Sequence, residues 1–322
     1  FDPRTSADVQ GAVLLGERQL TFLNDWSTDW SDGTWMKVCL SQTIFANVAT
    51  LPSGAASGAV LPNLKRPGPT DYPEGDRLAA DCDSNGWPQT GRNRALRELR
   101  RGFAFHVAGD QHLGSFIRYG VDAFEDAGYA FCVPSIANTW PRRWYPPTAG
   151  DNRAEGSPKY TGQFLDGFGN HVTVHAVSNP VKSGHEPAAL HDRAPGYGIV
   201  RFNRKTREIV SECWPRWSDP RLRMAQLYPG WPQRVQQVDG YSPTAVGFLP
   251  MIQVRGANTP VVQLVLESTG DIVYALRLNQ PEFRAPVYAS GTYTLRVGEP
   301  GAWRELKGLQ AGTDQKPIVV EF

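Results

Sequence analysis

Phe103-Ala-Phe-His-Val-Ala-Gly-Asp-Gln-His-Leu-Gly-Ser115 is the stretch from which the rest of the chain can be read. An apolar run closes at once on Gly109, and an acid and an imidazole follow two residues apart. The pattern predicts a buried strand ending in a tight turn that presents Asp110 and His112 together. In open α/β sheets ligands bind beyond the carboxyl ends of the strands. A carboxylate and an imidazole there make Asp110 and His112 candidate ligands of a divalent metal. His106, inside the strand, reads as a core histidine satisfied by its neighbours.

Upstream, Leu15 to Trp30 has Leu20, Leu23 and Trp26 at helical spacing and predicts an amphipathic helix. Met36 to Ser41 predicts a strand, with Gln42 past its end as Asp110 is past the next one. Thr90 is the expected N-cap of a helix carrying Ala95, Leu96 and Leu99 on one face and stopping at Gly102. Arg94, Arg97, Arg100 and Arg101 read as its solvated face, and Arg92, nearest the turn, is the exception. Downstream, Tyr129 to Val133 is a second buried run. Helix, strand, helical crossover and strand argue for parallel pairing in an α/β sheet.

Residues 45–88 are rich in Pro, Gly, Ala and Asp with little periodicity, which predicts a functional lid or a mobile insertion. Residues 146–160 read as a linker or surface excursion. Within a β-rich extension over 150–240, residues 168–177 read as a turn and strand, and 198–202 with 208–214 as a hairpin. From Gly247 onward, short alternating strands with turn residues between them predict a small all-β, Ig-like sandwich of about 75 residues. The expected division is therefore 1–240 and 247–322.

Thirty-three basic and 32 acidic residues give a net charge of +1. That offers no global field for nucleic acid or anionic membrane, and there is no nucleic-acid-binding signature. No run reaches the roughly 20 apolar residues of a transmembrane segment. The four cysteines form no CxxC pair, which excludes a zinc ribbon. Cys39 and Cys132 read as small buried hydrophobes and Cys82 as the accessible thiol. Arg142 and Arg143 lie between Trp140 and Trp144, where a forked guanidinium suits a phosphate and Arg stacked on Trp is equally ordinary.

Leu15-Gly-Glu-Arg-Gln-Leu20, Lys37-Val38, Ser41-Gln42, Asp83-Ser-Asn-Gly-Trp-Pro88, Gly91-Arg92, Ala95-Leu96, Gly109-Asp-Gln-His112 and Tyr129-Ala-Phe131 to Pro134-Ser-Ile136 follow one another in order. Over roughly residues 10–145 this run resembles the PhoD-like (alkaline phosphatase D type) metallophosphatases. The resemblance implies a calcineurin-like α/β/β/α sandwich that hydrolyses phosphate mono- or diesters at a two-metal centre. The ions would be divalent or trivalent, with Fe, Ca, Mn and Zn not distinguished, and such proteins are commonly secreted or periplasmic. Asp110 and His112 then match metal ligands. Asn85, where the family commonly has an Asp, takes either a substrate-side role or one supporting the metal ligands, in a Gly86-Trp-Pro88 loop where the family has Gly-Tyr-Pro. In such a site Arg92, Arg142 or Arg143 are the candidate phosphate clamps.

The family's earlier metal motifs precede its Leu-Gly-x-x-Gln helix, and only fourteen residues precede Leu15 here. The chain is therefore expected to be the C-terminal part of a longer enzyme, carrying an incomplete site. Gly169-Asn-His171 is not the missing motif: no acid follows His171, and Asp166-Gly-x-Gly-Asn170 reads as a hairpin turn. His185 and His191 read as surface histidines. The rival expectation is a non-catalytic secreted carbohydrate- or wall-binding protein that uses Trp140, Trp144 and the terminal sandwich.

Overall fold

In the computed structural model, which describes residues 8–55, 63–242, 244–312 and 316–322, the chain is mixed α/β with far more strand than helix. It runs α1 (Glu17–Thr28), β1 (Val38–Ser41), a ribbon of β2 (Thr50–Leu51) and β3 (Arg77–Leu78), then α2 (Gln89–Arg101). β4 (Phe105–Ala108), β5 (Ser115–Tyr119), β6 (Tyr129–Cys132), β7 (Gly162–Leu165) and β8 (His171–Val177) follow. With β1 they form a six-stranded sheet in the order β1-β4-β6-β5-β8-β7. β1, β4 and β6 are parallel, as the helix-strand order predicts, and β5, β8 and β7 extend the sheet in antiparallel pairing.

Alternation along these strands, shifted once in β8 by a bulge between Val174 and Ala176, sorts their side chains into two cores, because successive residues point to opposite faces. His106, Ala108, Ile117, Ala130, Cys132, Val172 and Val174 face α2, whose Ala95, Leu96 and Leu99 are buried against them. Phe105, Phe116, Phe131 and Ala176 face the other way, onto Ile209, Cys213 and Trp231. These last belong to or adjoin a three-stranded sheet of β9 (Gly196–Phe202), β10 (Glu208–Pro215) and β11 (Gln233–Gln236). The described layers are thus helix, six-stranded sheet and three-stranded sheet. The 198–202/208–214 hairpin forms as expected, antiparallel from Phe202↔Ile209 outward.

Beyond residue 240, β12 (Gly247–Phe248) pairs with β17 (Pro286–Val287), and β13 (Ile252–Arg255) is flanked by β16 (Glu282–Phe283) and β20 (Ile318–Glu321). A second sheet has β14 (Val261–Leu266) and β18 (Tyr293–Glu299) at its centre and β15 (Ile272–Arg277) and β19 (Ala302–Leu309) at its edges. Ile252, Val254 and Val320 from the first share a core with Leu264, Tyr274 and Leu295 from the second. Trp30, Phe103 and Tyr241 enter the same core, so these sheets are joined to the helical end of the chain. The Arg277 guanidinium fastens the joint, donating to the carbonyls of Thr34 (2.7 Å) and Trp30 (2.6 Å).

Two expectations need correction. α2 starts at Gln89, with Pro88 at the cap position, so Thr90 is inside the helix and its hydroxyl donates to Asp8. Residues 44–51 are no lid: all are buried, and groups distant in sequence satisfy their backbone. Asp166 Oδ2 accepts from Asn47 N–H at 2.9 Å, and the Arg143 carbonyl from Thr50 N–H at 2.8 Å. Residues 56–62 of that stretch lie outside the described residues. Among the described residues no helix is long and apolar enough to cross a membrane.

Candidate metal centre

β1 and β4 end side by side, in the register Ser41↔Ala108, and the backbone joins the segments that follow them. Gly109 N–H donates to the Gln42 carbonyl at 3.0 Å. Gln42 Nε2 in turn donates to Asp110 Oδ2 at 2.6 Å and orients the carboxylate. Asp110 and His112 both hold left-handed backbone, at φ 56° and 54°. For residues other than Gly this conformation costs free energy and concentrates where surrounding structure enforces it. It splits the turn. Gln111 points inward and is buried, while Asp110 and His112 remain partly exposed and face each other.

The enforcement is visible. Gln111 Oε1 accepts from Arg142 Nη1 at 2.6 Å, and the same guanidinium bonds Asp81 through Nη2. Asn138 Nδ2 donates to the His112 carbonyl at 3.0 Å. The turn is therefore held from beneath by Arg142 and from the side by Asn138.

His112 Nε2 stands 3.8 Å from Asp110 Oδ1, too far for a hydrogen bond. Two ligands about 2.1 Å from one ion at the tetrahedral angle are about 3.4 Å apart, so a cation fits between these atoms with a small side-chain adjustment. His112 Nδ1 is buried without a hydrogen-bond partner. A ligating histidine ordinarily has an acceptor at its other ring nitrogen. Asp110 and His112 thus offer two donors on one side of a site, without the outer acceptor that a ligating histidine ordinarily has. Among the described residues no group of three or more His, Cys, Asp and Glu side chains could enclose an ion. Cys132 lies under the turn with Sγ 3.5 Å from the Gly109 carbonyl, and burial pushes its thiol up to about 12.

Asn85 is stapled to Thr43, next to Gln42: its N–H donates to Thr43 Oγ1 and its amide to the Thr43 carbonyl, both at 3.1 Å. The arginines expected as phosphate clamps fasten loops instead. Arg92 is buried and donates to the carbonyls of Phe45, Gly120 and His171. Gly120 lies at the far end of β5, roughly 16 Å along the strand from Ser115 and the turn. Arg143 forms a buried fork on Asp76 (2.8 and 2.6 Å) and also donates to the Lys65 carbonyl. Arg142 is committed to Gln111 and Asp81, as above.

His106 lies beneath the turn in a continuous chain of hydrogen bonds. Ser41 Oγ donates to the Thr43 carbonyl (2.6 Å), so the ring must donate through Nε2 to Ser41 Oγ (2.7 Å). Nδ1 then accepts from the Tyr119 hydroxyl (2.8 Å), which itself accepts from Phe45 N–H (3.0 Å). This proton order makes His106 a neutral support and denies Ser41 a base. Burial drives the imidazole down to about 3.

Asp166-Gly-Phe-Gly-Asn170 is the turn between β7 and β8, with Asp166, Phe168 and Asn170 buried: Asp166 Oδ1 accepts from the N–H groups of Phe168 and Asn170. Trp144 is fully buried against Phe164 and donates to the Tyr160 carbonyl, while Trp140 is 49 % exposed. The paired Trp140/Trp144 platform of a carbohydrate binder therefore does not exist. Sequence reading missed Asn138 and the inward role of Gln111, since nothing local marks either. Compared with known proteins, the chain matches no family model, no curated protein and no solved structure.

Proposed function

We propose that the 109–112 turn is one wall of a metal site in a phosphoric ester hydrolase of the PhoD-like type. The observation that carries this reading is the facing pair itself. Asp110 Oδ1 and His112 Nε2, 3.8 Å apart, are held at the carboxyl end of parallel strands by Gln42, Arg142 and Asn138. Asp110 supplies a hard anionic oxygen and His112 an imidazole nitrogen, a pair suited to Zn, Mn or Fe, while Ca would use the carboxylate. The remaining ligands come from outside the described residues. In this reading the helix and six-stranded sheet form half of an α/β/β/α sandwich, with the two sheets beyond residue 247 as an Ig-like accessory unit.

Asp110 and His112 would hold one ion of a pair whose chemistry, when bound, would be to polarise the phosphoryl group and supply hydroxide. The chain's own part is to fix the first ligands. Gln42 holds the Asp110 carboxylate, Arg142 pins Gln111 so that its neighbours face outward, and Asn85 stands at the rim where a substrate oxygen arrives. Neutral His106 adds no charge of its own to the site.

The test is hydrolysis of p-nitrophenyl phosphate and bis-p-nitrophenyl phosphate with added Mn²⁺, Zn²⁺, Ca²⁺ or Fe³⁺, for the wild type and Asp110→Asn. Turnover that requires added metal and falls by about a hundredfold or more in the variant is expected. Turnover that survives chelation, or that Asp110→Asn leaves unchanged, refutes the assignment.

A further inference from the structure

β10 leaves its sheet into Arg216-Trp-Ser-Asp-Pro-Arg-Leu-Arg-Met-Ala-Gln226, a loop in which guanidinium and apolar side chains alternate. Its large apolar side chains face water: Met224 is 83 % exposed, Leu222 63 % and Trp217 37 %. Single exposed apolar residues are ordinary on a surface, whereas several gathered in one short loop mark an interaction site.

Hydrogen bonds fix the loop in this posture. Ser218 Oγ closes its base, donating to the Gln226 carbonyl at 3.1 Å and accepting from Gln226 N–H at 3.2 Å. The Tyr197 hydroxyl donates to the Ser218 carbonyl at 2.6 Å. At the tip, Leu222 N–H donates to the Asp219 carbonyl and Ala225 N–H to the Leu222 carbonyl, both at 3.0 Å. Every residue from Pro220 to Met224 is exposed, so these turns carry Leu222 and Met224 away from the body of the protein. Trp217 is braced at the surface by His185, stacked on it at 4.3 Å, and by His191, edge-on at 5.1 Å.

The loop is also basic, in a chain whose net charge is only +1. Its one acid, Asp219, is taken by Arg221 at 2.7 Å. Arg216 and Arg223 are exposed and have no ion-pair partner among the described residues. On the adjoining segment Glu186 accepts from Ala188 N–H, and Asp192 is buried and accepts from Ser183.

The backbone ties this loop toward the 109–112 turn. Arg216 N–H donates to the Pro195 carbonyl at 2.9 Å, and Gly196 N–H to the Ser135 carbonyl at 3.0 Å. Asn138, three residues on, bonds the carbonyls of both Arg193 and His112. Exposed Ile136 and Trp140 flank Asn138 and add to the apolar surface.

We propose that the 216–226 loop docks this protein on an anionic phospholipid bilayer. Leu222, Met224 and the edge of Trp217 enter the boundary between headgroups and acyl chains, and Arg216 and Arg223 meet the headgroup phosphates. A bilayer surface meets both demands of the loop at once, removing the apolar side chains from water and placing anions beside the cations. Arginine suits this place because its stem lies along hydrocarbon while its head stays among phosphates, and Trp favours the same interface. Docking needs no metal and does not depend on the phosphatase reading, so the two fail separately.

The experiment is sedimentation of the whole protein with phosphatidylcholine vesicles, with and without phosphatidylglycerol, in the presence of chelator. Wild type is compared with Arg216→Glu/Arg223→Glu, Leu222→Ser/Met224→Ser and Trp217→Phe, all surface changes whose folding is checked by circular dichroism. Wild type is expected to bind vesicles containing phosphatidylglycerol, with each double variant about tenfold weaker or more. Quenching of its fluorescence by bromine-labelled lipid is expected to fall in Trp217→Phe. Three results overturn the proposal: no binding to phosphatidylglycerol vesicles, binding that Leu222→Ser/Met224→Ser leaves intact, or loop-dependent binding to heparin with none to vesicles, which would make the loop a site for soluble polyanions.

Discussion

Lowering the pH from 7 to 5 destabilises the fold through His106 by an amount that can be worked out. Burial moves its imidazole from the ordinary 6.5 down to about 3. Between those values the unfolded chain binds a proton that the folded chain refuses, so stability is lost as the pH falls through that window and is retained above it. At pH 5 the unfolded imidazole is almost wholly protonated and the folded one almost wholly neutral. The linkage relation then gives a loss of about 2 kcal/mol relative to pH 7, out of a total that is ordinarily about 5 to 15 kcal/mol. Urea denaturation of the wild type and His106→Gln at both pH values isolates the effect. His175, which burial also lowers, to about 4, is present in both proteins and cancels from the difference. The wild-type advantage over the variant is predicted to shrink by about 2 kcal/mol on acidification. A change below about 0.5 kcal/mol would mean that His106 is charged or solvated in the folded state, and the proton order from Thr43 to Phe45 would be wrong.

Arg143→Met leaves the Asp76 carboxylate buried without its fork, and breaking a buried pair in this way costs about 3–5 kcal/mol. Urea denaturation measures it, and a loss below about 1 kcal/mol contradicts the assigned role. Lys37 sits between Trp26 and Trp30, where burial brings its ammonium down to about 8. The folded chain therefore binds fewer protons than the unfolded between pH 8 and 10.5, and stability rises with pH through that window. Melting temperatures at pH 7.5 and 9.5 should show this for the wild type and not for Lys37→Met; parallel shifts contradict it. A Cβ at Gly167 would stand 1.5 Å from the Ala79 carbonyl oxygen. Gly167→Ala is therefore expected to lose several kcal/mol or fail to fold, and a near-wild-type denaturation midpoint would refute the packing of the 166–170 turn.

The parallel strands β1, β4 and β6 were legible because their signal is local. The runs around Phe105 and Phe131 are apolar, short and bounded by turns, so length and composition already mark buried strands, whereas β5 and β7 were not read as strands. The turn after β4 and the supporting place of His106 were legible for the same reason. The 45–88 stretch misled because what orders it is remote: Asp166 lies 119 residues from Asn47, and Arg143 lies 93 residues from Thr50. The arginines misled in the same way. Asp76 and Asp81, their carboxylate partners, lie 67 and 61 residues upstream, so a guanidinium in an aromatic stretch looks free when it is not.

Anomalous diffraction from crystals soaked in Mn²⁺ tests the metal assignment most directly. The account predicts a peak within about 2.5 Å of both an Asp110 carboxylate oxygen and a His112 ring nitrogen, absent in Asp110→Asn. Manganese bound elsewhere with none at that pair, or a peak there that Asp110→Asn leaves intact, would contradict it.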